Sequence, residues 1–163
     1  MPQRKTTQAL DLGDDPGIER GWRLQRAGRV LLAAIVAAAL AGVLGHGPAS
    51  RRVLVADGTR IDYQNPVRQG APTRVEIRRA AGRGDEVTVA LDSGYVTAMR
   101  LRSVVPPPLR VVGGGGTTTF VFAARDGSLD AVFEFEPPGV GVRETASTVA
   151  GRAAGRLRHV VLP

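Results

Sequence analysis

The sequence predicts a single N-terminal transmembrane helix followed by an all-β domain. An antiparallel β-sandwich is the first expectation for that domain and a small barrel the second. Three observations predict this. Residues Val30–Leu44 form an unbroken run of apolar residues, most of them Ala, Leu and Val. Arg20, Arg23, Arg26 and Arg29 stand just before that run. From Arg51 onward the pattern changes to short alternating segments with turn residues between them.

Residues 1–19 are polar, carry Pro2 and Pro16, and lack apolar periodicity. They are expected to be a disordered cytoplasmic tail. Residues 20–49 are expected to form the basic flank and the anchor helix. Fifteen residues at 1.5 Å each reach roughly 23 Å, so the flanks must complete a span of about 30 Å. Trp22 sits where an interfacial aromatic belongs, and Arg23, Arg26 and Arg29 can reach the headgroups. The helix of a folded core would show one polar face, and Val30–Leu44 shows none. The arginines before the run place the N-terminus inside and residues 50–163 outside the cytoplasmic membrane, as an extracytoplasmic domain. A cleaved signal peptide ending near Val43-Leu44-Gly45 is the rival. The 29 residues before the run favour an uncleaved signal anchor. Ala33, Ala37, Ala41 and Gly45 recur at four-residue spacing and could form a helix-packing face, although an Ala-rich helix produces such spacing unaided.

In the β domain, Val53–Ala56 and Arg60–Tyr63 flank Asp57-Gly58, a hairpin signal. Residues 74–79 and 87–91 alternate, with Val75, Ile77, Val87, Val89 and Leu91 as candidate core, and Ala81-Gly82-Arg83-Gly84-Asp85 suits the turn between them. Ser93–Ala98 is a short helix or irregular. Met99–Val105 alternates up to Pro106-Pro107-Pro108, which blocks further pairing. Gly113–Gly116 is expected to be a flexible break. Thr117–Ala124 presents Phe120 and Phe122 on one face. After the Asp126-Gly127 turn, Leu129–Glu136 presents Leu129, Ala131, Phe133 and Phe135. Val140–Val149 and Leu157–Leu162 complete eight or nine strands, joined through a Gly- and Arg-rich bend.

The chemistry is sparse. There is no cysteine, which excludes disulfides, thiolate metal sites and thiol nucleophiles. No serine lies in a nucleophile elbow, and Gly113–Gly116 lacks the Lys-Ser/Thr of a phosphate loop. Glu134 and Glu136 share a strand face and could hold a cation or do acid–base work, but a solvated outer face explains them as well. His159 is expected at a surface or edge, and His46 at the membrane interface. Arg83-Gly84-Asp85 spells an adhesion tripeptide of a kind common by chance. The net charge of +7 is nearly all arginine, Lys5 being the only lysine. Arg152, Arg156 and Arg158 could touch an anionic surface. Nucleic acid is not expected, because the few aromatic residues are needed in the core. No catalytic residue, cofactor or metal site is expected.

Several short segments carry a resemblance. They are Glu19–Arg26, Gly45-His46-Gly47-Pro48, Gly70-Ala71-Pro72-Thr73, the Tyr95 segment leading to Pro106, and the terminal Val161-Leu162-Pro163. Together they resemble uncharacterised small single-pass bacterial membrane proteins. The resemblance implies an extracytoplasmic β domain, with a YetF-like polytopic membrane protein as a candidate partner besides the membrane. It implies no catalytic residues. The expected function is therefore a membrane-anchored, non-enzymatic interaction or structural module of the cell envelope. The alternative is a membrane-tethered enzyme or small-ligand binder acting on envelope lipid or glycan.

Overall fold

The computed structural model describes residues 16–40, 50–81 and 85–163, with residues 16–20 as backbone only. Outside the described residues lie the expectations for most of the tail, for Ala41 and Gly45, for the Gly45–Pro48 segment with its rival cleavage site, and for the Arg83-Gly84-Asp85 triplet. The chain divides into two compact units, one ending at Ala38 and one beginning at Ala39.

The described part of the first unit belongs to helix α1 (Pro16–Leu40), whose last two residues fall in the second unit. Pro16 suits a first helical position, where a missing N–H costs nothing. Among the described residues, no helix is long and apolar enough to cross a membrane. This corrects the transmembrane anchor, and with it the single-pass, signal-anchored location in the cytoplasmic membrane with the β domain outside. Within the described part of the helix, the uninterrupted apolar residues are Val30–Leu40, eleven residues that rise about 16 Å against about 30 Å for a hydrocarbon core. The turns before them carry Arg23, Gln25, Arg26 and Arg29. The reading of Trp22, Arg23, Arg26 and Arg29 as an anchor flank rested on that span. Ala33 and Ala37 lie on the helix and are exposed.

The second unit consists of β1 (Arg51–Ala56), β2 (Thr59–Gln64), β3 (Val67–Arg68), β4 (Thr73–Ala80), β5 (Glu86–Asp92), α2 (Ser93–Ala98), β6 (Leu101–Val105), β7 (Arg110–Gly114), β8 (Thr117–Ala123), β9 (Ser128–Phe135), β10 (Gly141–Val149) and β11 (Arg152–Leu162). One sheet has the order β1-β2-β4-β9-β6 and the other β3-β11-β10-β5-β8-β7. Every pairing is antiparallel except β3 with β11.

The alternation along the strands builds one core between the two sheets. Val75, Ile77, Phe133 and Phe135 from the first sheet meet Val87, Val89, Phe120 and Phe122 from the second. Phe120 and Phe133 pack edge to face at 5.1 Å between ring centres, a favoured geometry for aromatic pairs. Helix α2 adds Tyr95, whose ring meets Phe135 at 5.5 Å. Asp92 caps α2 by accepting a hydrogen bond from Tyr95 N at 3.0 Å.

Three two-residue turns connect paired strands, Asp57-Gly58, Gly115-Gly116 and Ala150-Gly151, and a fourth, Asp126-Gly127, closes the isolated Arg125–Ser128 bridge where the chain passes from one sheet to the other. All have positive φ at both residues, which matches the twist of paired strands. The Ala150-Gly151 turn replaces the expected loose bend, and β11 therefore starts at Arg152. The register slips between Ser147 and Thr148, so that Ala154 is a bulge residue opposite no partner. Gly155, beside it, has φ +124, and a Cβ there would stand 3.1 Å from Leu54 Cδ1. Gly113 and Gly114, expected in a flexible break, belong to strand β7.

Candidate functional site

Two sheets have four edges, and three of them are blunted. Strand β1 begins with Arg51 and Arg52, and its Leu54 packs against Gly155 of β11. Strand β3 has two residues, and the chain after it is tied down by Gln69 N–H to Leu162 O (2.8 Å) and Gly70 N–H to Pro137 O (2.8 Å). Strand β6 is irregular between Leu101 and Ser103, carries Arg102, and runs into Pro106-Pro107-Pro108. Short length, charge, bulges and proline are the usual ways a sheet edge is kept from pairing with another chain.

Strand β7 has one of these, the charge of Arg110, and neither a bulge nor an internal proline. Its five residues are all exposed, Val111 at 53% and Val112 at 52%. Leu109 just before it is exposed too. The register with β8 places Val111 beside Phe120, on the core side of the sheet. Its exposure shows that the opposite sheet does not extend over β7. The one charge, Arg110, is engaged within the molecule. It reaches across β8 to Glu86 on β5 by two hydrogen bonds, at 2.6 and 3.2 Å. Val121 pairs directly with Arg110 and lies outside the core cluster, yet it is buried. A side chain that starts beside Val121 and ends on Glu86 of the next strand is placed to cover it.

Gly113 and Gly114 have ordinary φ values, and a Cβ on either would meet nothing within 4 Å. Nothing in this molecule requires glycine there. A strand glycine otherwise weakens the strand and often marks the close approach of another backbone.

The outer face of the first sheet carries a ladder of charge. Arg60 pairs with Asp62 (2.7 Å), Arg78 with Glu76 (2.9 Å) and Asp130 (3.4 Å), and Arg74 with Glu134 (3.6 Å). The hydrogen bonds from Arg60 hold the Asp62 carboxyl below the usual carboxylate range. A shallow basin of about 470 Å³ lies among Arg51, Arg60, Asp62, Arg74, Glu76 and Arg78. Three of its four arginines already have carboxylate partners, so the face is largely self-neutralised.

His159 departs from its expected surface position. It is fully buried, and its Nδ1 lies 3.0 Å from the Tyr95 hydroxyl. Tyr63 packs on its ring at 5.1 Å. Nε2 has no hydrogen-bond partner. Burial pushes the imidazole down to about 4 and the Tyr95 hydroxyl upward. The register carried the signal, since Leu157, His159 and Val161 alternate inward together.

The three C-terminal arginines are not one patch. Arg156 and Arg158 pair with Ala146 and Glu144 on the outer face, and Arg158 is bridged to Glu144 at 3.1 Å. Arg152 lies opposite the buried Val149, on the other side of the sheet at the hairpin tip. Glu134 and Glu136 are held by separate partners. Glu134 accepts from Ser103 at 3.1 Å, and Glu136 is bridged to Arg102 at 2.7 Å. Among the described residues, no group of three or more His, Asp or Glu could hold a metal ion. The β7 edge went unread in the sequence because the glycine run masked it. Leu109, Val111 and Val112 between the prolines and the glycines were the available signal.

The sequence matches no protein-family model, and no curated protein matches it. Among solved structures, it is similar to the Pseudomonas fluorescens alkylpurine DNA glycosylase AlkC bound to DNA containing an abasic-site analogue, at a TM-score of 0.36 and 11% identity. The match covers 69% of this chain and 29% of that one, so this chain spans under a third of that protein's length. A likeness at that level carries no argument about fold or function.

Proposed function

We propose that the β unit is a non-enzymatic interaction module that binds an extended, uncharged protein segment by strand addition along β7. The observation that carries this reading is the bare edge itself. One regular strand of the two sheets is exposed along its whole length, with no charge free to repel a partner. Strand addition draws affinity from main-chain hydrogen bonds and specificity from alternate side chains. Here those side chains are Val111 on one face and Val112 on the other. The non-enzymatic part is supported by where the titratable groups sit. The two with the largest shifts, His159 and Tyr95, are sealed in the core, and Glu134 and Glu136 are occupied by different partners.

The test is titration with short Val- and Thr-rich extended peptides, read by amide NMR of the full chain. Binding should shift β7 and β8 resonances, and Val112→Lys should weaken it at least tenfold. Shifts confined to other strands, or affinity indifferent to the lysine, would refute strand addition.

A further inference from the structure

We infer that the segment added to β7 is β7 of a second copy, paired antiparallel about Val112. This rests on the reading of β7 as a docking edge and names its occupant. The argument is self-complementarity. An antiparallel pair centred on Val112 sets Val112 against Val112 of the second copy. It sets Val111 against Gly113 of the second copy, and Arg110 against Gly114 of the second copy. Apart from the central Val112 pair, each side chain with bulk thus meets a glycine. This accounts for two strand glycines that nothing inside the molecule requires, since a Cβ on either would lie in open space. Charge agrees with the arrangement. The two Arg110 side chains stand at opposite ends of the paired segment, and each is held back across its own sheet by Glu86. Pairing in this way is isologous and closes after two copies. It leaves no β7 edge exposed and joins the two six-stranded sheets into one. An unrelated peptide would need no such match between valine and glycine positions.

The chain has no cysteine, so a single introduced one reports this register without interference. Val112→Cys in the full chain would place two sulfurs directly opposite each other, within the reach of a disulfide. Val55→Cys, at a still more exposed position on β1 (72% against 52%), is the control. Mild oxidation should convert Val112→Cys to a covalent dimer at least tenfold faster than Val55→Cys. Dimerisation through any other surface would not favour residue 112. A second readout uses charge: Val112→Lys and Val112→Glu should each lose self-association, and a one-to-one mixture should regain it. Equal cross-linking of the two cysteine variants, or no rescue on mixing, overturns the self-pairing. If self-pairing fails while extended peptides still shift β7 and lose affinity with Val112→Lys, the edge binds another protein's strand. If the peptides fail as well, the docking reading falls with it.

Discussion

His159 is a neutral imidazole held in an apolar core by one hydrogen bond, and this couples its protonation to unfolding. In the unfolded chain it titrates near 6.5, and in the fold near 4. The fold therefore binds this proton less readily than the unfolded chain. Its contribution is complete above pH 6.5 and is lost as pH falls toward 4, by up to about 3 kcal/mol. Asp62 acts in a lower window, because its pKa is lowered in the fold by the hydrogen bonds from Arg60, so its contribution is present above 3.8 and is lost as pH falls below that. Urea unfolding at pH 7.5 and 4.5 should show wild type losing stability and His159→Phe losing much less. Equal losses would show that the histidine is not the coupled group. The Tyr95 partnership makes a second prediction. Tyr95→Phe leaves both ring nitrogens unpaired and should cost about 1–3 kcal/mol, while the Tyr95→Phe, His159→Phe double variant should recover most of it. Strict additivity in the double-mutant cycle would deny the interaction. At Ala150 the strain is in the backbone. An alanine with φ 50 pays a left-handed cost that Asn-Gly avoids, so Ala150→Asn should raise stability by about 0.5–1 kcal/mol in thermal melts.

At the scale of elements, the Arg110–Glu86 bridge works as a cover more than as a charge pair. Both side chains are about half exposed, and such a pair alone contributes at most about 1 kcal/mol. The buried Val121 beneath the Arg110 stem adds an apolar term. Arg110→Ala should therefore cost about 1–2 kcal/mol and Glu86→Gln only a few tenths, as measured by chemical denaturation. A larger effect from the glutamate would mean that charge dominates. The elements that could be read from the sequence were those whose signals are local. Asp57-Gly58 and Asp126-Gly127 announce their turns, and Phe120, Phe122, Phe133 and Phe135 announce their inward faces. Elements defined by pairing were hidden. Ala150-Gly151 lacks the Asn or Asp of a tight turn, the Ala154 bulge breaks the alternation at the start of β11, and β7 is a strand only because β8 pairs with it. The apolar run from Val30 misled for a different reason. Composition gives how apolar a stretch is, but the described helix carries Glu19, Arg20, Arg23, Gln25, Arg26 and Arg29 in the turns before Val30.

For the whole molecule, the two-sheet core follows from inward alternation, which composition and turns make visible. The site does not, because an edge is defined by what fails to cover it, and no local pattern encodes an absent neighbour. The same core sets what the β unit needs in order to fold. Its buried cluster is drawn from Ile61 to Val161, with Leu54 packed against it. Ser50 supplies the first tie, its carbonyl accepting from Asn65 N–H at 2.7 Å. A fragment beginning at Ser50 thus retains every residue of that cluster. It should unfold in one cooperative transition, with a thermal midpoint within about 4 °C of the β transition in the full chain, a difference of under about 1 kcal/mol. Calorimetry of the two proteins decides it. A fragment that melts without cooperativity, or far lower, would mean that residues before Ser50 contribute to the β fold.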